Sequence, residues 1–394
     1  MRERWIFKEL GEVCFYPTKR LPLTEISAQQ YVGVETLIKD KGGVSFSDEL
    51  PNADTVIEYK KDDILIGNIR PYLRKIWKAD RNGGASGDIV NIRVLPNYKE
   101  ILNPDYLYNV LSSDKFFDYD NSNTHGAKMP RGDRRAIAKY IIPIPPIHIQ
   151  QSIVAELNKI KELIGLKNSQ LSDMDSLLQS KFHDIFGDPV ENDKEWEIKN
   201  LSEISSLICN GNTPKGGSEV YVDDGILFLR SQNVWKNRIE FDDVAYIDEA
   251  TNQKLRKSIL MHNDLLITKT GRFNTENSSL GRTALFEGED GTANINGHVY
   301  LVRLKKGMIH KFVLYILISN SYRELIRRTC VGGIDKRQLN KDHIEDFPII
   351  FPPIELQKKY VTIVEKIEKQ KQQICSTIKD LEMMLASRMQ YWFE

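Results

Sequence analysis

The sequence predicts an α+β fold: two similar α+β units separated by two long helices that pair with each other. Three observations predict it. First, adding 207 to every position from Ile137 to Gly187 gives Ile344 to Glu394 without a gap. Fourteen of those 51 pairs are identical, where unrelated sequences of this composition would give roughly three. Second, the apolar residues inside the repeat are spaced as on a helix face. Third, short β-branched runs outside it recur twice in the same order, so the duplication extends beyond the helices.

The helices come first because they frame the rest. Each copy opens on a double proline, Pro145-Pro146-Ile147 and Pro352-Pro353-Ile354, and proline is tolerated only at or before a first helical turn. Apolar residues then fall at Ile153, Leu157, Ile160, Ile164, Leu171, Met174, Leu178 and Ile185, answered by Val364, Ile367, Ile374, Ile378, Leu381, Leu385 and Trp392. Steps of three, four or seven make a heptad-like seam, interrupted by Lys167 and Lys371. A helix of about 35–40 residues spans about 55 Å. Either the two helices pair, or each packs on its own unit; pairing gives both seams a partner surface.

The expected boundaries are 1–146 for the first unit, 147–187 for the first helix, 191–351 for the second unit and 352–394 for the second helix. In the first unit, strands are expected over Gln30–Val34, Ile64–Ile66 and Ile89–Val94, and a helix over Tyr106–Ser112 behind Asn103-Pro104-Asp105. The second unit repeats this plan. Trp196 echoes Trp5, while Gly225–Arg230, Asp264–Thr268 and Val299–Leu304 fill the strand slots. Phe312–Ile318 is the matching helix. The loops barely agree: NIRPYLRKIWKADRNGG stands against TKTGRFNTENSSLGR. A kept frame with divergent loops suggests two readers of two different things.

A chain of 394 residues with 41% hydrophobic and 28% charged residues is ordinary for a soluble multidomain protein. MRERWIFKEL has no signal-peptide core, and no run approaches the ~18 apolar residues of a membrane span. Cys14, Cys209, Cys330 and Cys375 form no C-x-x-C, which points to reduced thiols in a cytoplasm. The 55 basic and 55 acidic residues cancel, but charge is clustered. Gly67–Arg81 and His125–Lys139 each carry five Lys/Arg against one Asp, and Arg323–Lys341 six against two acids. The zero total neither advertises nor excludes a nucleic-acid binder, because local clustering matters more.

Catalytic constellations are weak. Asn103-Pro104-Asp105-Tyr106 resembles the N-P-P-Y loop of adenine methyltransferases with the wrong third residue, and a helix-opening turn explains it better. Glu58-Tyr59-Lys60 and Glu197-Ile198-Lys199 lack an upstream Pro-Asp partner. There is no phosphate-cradling G-x-x-x-x-G-K-[ST], no H-x-x-x-H and no G-x-S-x-G. The expectation is a binding protein without cofactor or metal.

The chain resembles the specificity (S) subunit of type I restriction–modification systems. The resemblance rests on Pro145-Pro146-Ile147 to Gln150 and Pro352-Pro353-Ile354 to Gln357. It continues through Val154 to Lys159-Ile160 and Val361 to Lys366-Ile367. Trp196…Leu201-Ser202-Glu203-Ile204…Gly211-Asn212-Thr213-Pro214, Asp264-Leu265-Leu266-Ile267 and Gly67-Asn68-Ile69-Arg70-Pro71 also match blocks of that family. The first unit lacks the Gly-x-Thr-Pro block, so its recognition domain is expected to belong to a different subclass. The resemblance implies two target recognition domains, each binding one half of a split DNA site. It also implies an antiparallel coiled coil of pseudo-two-fold symmetry that sets the gap. Two modification subunits would methylate adenine, and restriction subunits would carry the ATP-driven translocase and nuclease. The S subunit would do no chemistry itself.

Arg suits guanine and Asn or Gln suits adenine in the major groove, while phosphates supply affinity. The expected DNA-binding residues in the first unit are Asn68, Arg70, Arg74, Lys75, Lys128, Arg131 and Arg134. In the second they are Lys269, Arg272, Asn274, Arg282, Asn294, Asn296, Lys336 and Arg337. Two competing classes are a coiled-coil scaffold for protein partners, which fits zero net charge, and a stand-alone methyltransferase with embedded recognition domains.

Overall fold

Ile89–Val94 is a strand buried on both faces; of its two polar residues, Asn91 donates to the Glu58 carbonyl and Arg93 reaches a buried carboxylate, Asp63. The computed structural model that shows this describes residues 5–126, 128–273, 275 and 277–394. The chain divides into two units, Met1–Gln170 with Ile374–Glu394 and Leu171–Gln373. Both long helices are divided between the units, so the first unit is made of two stretches while the second is one.

In the first unit, β1 (Cys14–Phe15), β2 (Ile64–Gly67), β3 (Ile76–Lys78) and β4 (Ile89–Val94) form an antiparallel sheet in the order β1-β4-β2-β3. A second sheet joins Arg20–Pro22, Thr55–Tyr59, Gly83–Ala85 and Tyr31–Val32, the last pair parallel. Helices α1 (Pro104–Leu111) and α2 (Asp114–Ser122) cover the first sheet, with Tyr106, Leu107, Val110, Leu111, Phe116 and Phe117 in its core. Ile153 and Leu157 of α3 (Ile147–Phe186) complete that core.

The second unit repeats the frame. Strands β5 (Ser205–Asn210), β6 (Leu265–Thr268), β7 (Thr283–Leu285) and β8 (Val299–Leu304) stand in the order β5-β8-β6-β7. A three-stranded sheet of Ala245–Ile247, Ile226–Leu229 and Ala293–Ile295 again contains one parallel pair. Helices α4 (His310–Leu317) and α5 (Asn320–Thr329) answer α1 and α2, and the chain closes on α6 (Ile354–Phe393). Arg303 in β8 pairs with buried Asp264, as Arg93 pairs with Asp63.

The PPI-x-x-Q blocks acquire a physical reason. Gln150 is buried; its Nε2 donates to the Pro145 and Ile101 carbonyls at 2.7 Å, and its Oε1 accepts from the Asn103 N–H. Gln357 donates to the Pro352 carbonyl at 2.8 Å. Each glutamine satisfies a carbonyl that the proline turn leaves without a helical partner.

The helices α3 and α6 pair antiparallel and also pack on the α+β layers, so both alternatives left by the periodicity are realised. In the second unit Asp175 meets Lys371, while further along α3 Leu178, Phe182 and Phe186 meet Tyr360, earlier on α6. In the first unit Glu156 meets Arg388 and Trp392. Each helix ends on a phenylalanine inserted into a core, Phe186 in the second unit and Phe393 in the first. Full burial of such a ring contributes about 1.5–3 kcal/mol. Gly187 follows α3 with φ +75°, a left-handed close that only glycine adopts without strain, and Lys194 Nζ donates to the Asp184 and Ile185 carbonyls.

Some expectations shift. Gln30–Val34 is not one strand: Ser27 and Gln30 form a capping box over a helical turn, Ala28–Gln30, and only Tyr31–Val32 pairs in a sheet. The Tyr106–Ser112 helix begins at Pro104, because the Asn103 side chain accepts from the Asp105 and Tyr106 N–H groups. Helices α2 and α5 went unread. Their serine caps, Ser113 and Ser319, are plain, but their charged sequences hide the apolar face.

Candidate nucleic-acid interface

In both units the basic loop follows the central sheet strand and meets the segment that comes after the second short helix. In the first unit β2 runs into Asn68–Arg74. Ile69 bridges Arg131, the Arg70 N–H donates to the Pro130 carbonyl, and the Gly132 N–H donates to the Asn68 carbonyl. In the second unit β6 runs into Thr270–Arg272, which pairs with Lys336–Gln338 in the register Arg272↔Lys336 and Gly271↔Arg337. The same topological position is thus occupied twice by dissimilar basic sequence.

The first-unit loop holds backbone strain. Arg70 and Arg74 both have positive φ, 54° and 50°, on either side of the turn Pro71–Leu73. Asp40 and Lys41, also at positive φ, donate their N–H groups to the Leu73 and Arg74 carbonyls. Non-glycine residues held there cost of order 1 kcal/mol or more each, and such strain gathers at functional loops.

The fifteen expected residues divide by what they touch. Arg70, Lys128, Arg272 and Lys336 are exposed, and none has an acidic partner among the described residues. Arg131 is exposed and lies 3.3 Å from Asp88. Lys269 faces the Tyr300 ring at 5.8 Å, Arg337 stacks on Phe273 at 3.9 Å, and Arg282 stacks on Trp235 at 3.7 Å. Others are spent internally. Arg74 pairs with Asp114 of α2 at 2.9 Å, Lys75 donates to the Val34 carbonyl, and Arg134 donates to the Gly87 and Ile89 carbonyls.

Asn294 and Asn296 are buried and bonded within the unit. Asn294 is completely buried: its Oδ1 accepts from Ser258 and the Ile295 N–H, and its Nδ2 donates to Asn252. Asn296 is buried and accepts from the His298 N–H. Asn274 lies outside the described residues.

Asn68 Oδ1 and Asp120 Oδ1 are buried with no donor among the described residues, and both lie within 3.0 Å of where a Cβ on Gly132 would sit. Burial pushes the Asp120 carboxyl up to about 6. Sequence reasoning passed over Tyr72 and Met129, exposed on the two first-unit loops, and Trp235 with Arg238 in the second unit. The signal for the latter was the aromatic–basic run Val234-Trp235-Lys236-Asn237-Arg238.

A model of the family described as "Type I restriction modification DNA specificity domain" matches this chain twice, over residues 2–173 and 193–382. The chain belongs to that family. It is a specificity subunit of a type I restriction–modification system. The type I restriction enzyme MjaVIII specificity subunit of Methanocaldococcus jannaschii is 21% identical over 400 residues, covering 94% of this chain and 89% of that one. The putative MjaX specificity subunit of the same organism is 22% identical over 176 residues, 44% of this chain and 40% of that protein. A solved chain described under complex assembly and conformational transition of the type I R-M system has TM-score 0.60 at 20% identity, covering 99% of this chain and 97% of its own. The type I S subunit from M. genitalium has TM-score 0.52 at 14% identity, covering 98% and 95%. The fold is shared with both. No described helix is long and apolar enough to cross a membrane.

Proposed function

We propose that this chain binds double-stranded DNA as the specificity subunit of a type I complex. The recognition domains, 1–146 and 191–351, each read one half of a bipartite asymmetric site. The helices, 147–187 and 352–394, set the gap and dock two modification subunits. The assembled complex would methylate adenine at N6, and with restriction subunits it would cleave DNA at the expense of ATP, in a cytoplasm. The chain itself supplies recognition and no chemistry.

One observation carries this reading: the recurrence of the basic loop after the central strand in both units, with different residues in each. A protein-interaction scaffold gives no reason to keep that position and vary its cations. On this reading Arg70, Lys128 and Arg131 of the first unit and Lys269, Arg272, Lys336 and Arg337 of the second are assigned to DNA; Arg70, Lys128, Arg131, Arg272 and Lys336 are exposed. Side chains of 40-residue helices, about 60 Å at 1.5 Å per residue, supply rods longer than the ~34 Å of one DNA turn.

The test is co-expression with the products of adjacent open reading frames, followed by sequencing for methylated adenines. A split motif is expected. Arg70→Ala should relax one half only, and four residues inserted near Leu166 should lengthen the gap. Absence of any methylated motif, with all chains present and assembled, would overturn the reading.

A further inference from the structure

Arg282 is a cation held by its neighbours with no carboxylate partner among the described residues. Its guanidinium lies 3.7 Å from the Trp235 ring centroid, Nε donates to the Ser278 carbonyl at 3.0 Å, and Nη2 donates to the Asn277 carbonyl at 2.5 Å. Two of its five N–H donors are used, so three remain. No carboxylate among the described residues pairs with it, and burial holds its pKa below the usual arginine range. Its neighbour is the internal comparison: Arg238 lies over the same indole at 5.3 Å but is already paired with Glu240 at 2.7 Å.

Arg282 faces a groove of about 380 Å³, whose described lining includes Ser231, Gln232, Arg272, Ser278 and Ser279 and no acid. Hydroxyls, an amide and two guanidinium groups are donors for an anion. The groove's one aromatic ring already carries two guanidinium groups, so it does not offer a stacking face to a base. A guanidinium pinned to main-chain carbonyls is preorganised for a ligand of constant geometry. The phosphodiester is the part of DNA that does not change with sequence.

We propose that this groove of the second unit seats a backbone phosphate of duplex DNA on Arg282, with Arg272 as the second cation and Trp235 as the positioning residue. The assignment rests on the DNA-binding reading above and adds a site that anchors rather than reads. Neutralising one phosphate contributes a slope of about −0.9 to log K against log salt.

The full-length chain is titrated with duplexes over a range of potassium chloride concentrations, and its sequence preference is taken from selection out of a random duplex pool. Arg282→Gln should weaken binding to every duplex by about tenfold and flatten the salt slope by about one, with the selected sequence unchanged. Arg282→Lys keeps the charge and should retain the slope, which also separates loss of charge from loss of fold. An unchanged slope in Arg282→Gln, or a changed selected sequence, overturns the phosphate assignment. A wild-type chain that binds no duplex at low salt brings down the DNA-binding reading and this site with it.

Discussion

Glu156 on α3 accepts from both Nε and Nη2 of Arg388 on α6, the second at 3.0 Å, and its Oε2 also accepts from Trp392 Nε1 at 3.1 Å. The pair couples the start of one repeated helix to the end of the other. Hydrogen bonding from Arg388 holds the Glu156 carboxyl below its usual pKa. A depressed carboxylate stabilises the fold above its unfolded pKa, about 4.3, and that stability is lost as pH falls through the folded value. Glu156→Gln should therefore lower Tm near pH 7 and leave it unchanged near pH 3. Thermal unfolding followed through the Trp5 and Trp392 fluorescence, whose rings stack at 6.4 Å, reads this. An equal loss at both pH values would mean that packing, not charge, is at work.

The buried ion pair inside the second unit predicts a larger effect. Asp264 is 1% exposed and receives Arg303 through two hydrogen bonds, 2.9 and 2.7 Å. Asp264→Asn leaves a half-buried guanidinium uncompensated and should cost about 3–5 kcal/mol, whereas replacing both partners by leucine should recover much of that. Urea unfolding of the two variants decides it; a double variant no better than the single would refute the desolvation argument.

The two glutamines at the helix openings are equivalent by repeat but not by bonding. Gln150 serves three backbone groups, while one side-chain bond is present at Gln357. Each buried group left unsatisfied costs about 1–3 kcal/mol. Gln150→Leu should thus destabilise its unit more than Gln357→Leu destabilises the other, measured as separate denaturation midpoints. Equal losses would show that shape, not hydrogen bonding, explains the motif.

Asp120 runs the other way. It is 1% exposed, with no counter-ion among the described residues, and its carboxyl is raised to about 6. A raised folded pKa means that its favourable contribution is full below about 4 and is lost as pH rises through about 6. Asp120→Asn should stabilise the first unit near pH 8 by roughly 3 kcal/mol and do little near pH 4. A pH-independent difference would show that Asp120 stays protonated throughout, or finds a donor.

Much of the frame was legible because it rests on local pattern. Val299–Leu304 is a continuous apolar run broken by one arginine and became an inner strand of its sheet. The helical seam became buried at Ile153, Leu157, Val364, Ile374 and Ile378. The basic loops were legible as clusters, since charge density and turn residues are properties of short windows. Which member of a cluster is available was not legible. Arg70 and Arg74 are four residues apart and look alike, yet one is exposed without an acidic partner and the other is bound to Asp114, forty residues on. Asn294 looked like a reader of adenine until Ser258 and Asn252 claimed its amide.

By itself, then, the sequence determined the duplicated frame, the two amphipathic rods and the positions of the charged loops. Periodicity and repetition are written along the chain, and folding only folds them up. The tertiary structure alone decided that the rods run antiparallel, that Gln150 and Gln357 satisfy the proline turns, and that Arg282 has no carboxylate partner among the described residues while Arg238 has Glu240. The helix pairing depends on partners about two hundred residues apart, the others on which near and distant groups burial brings together, since burial makes an unpaired charge or carbonyl costly.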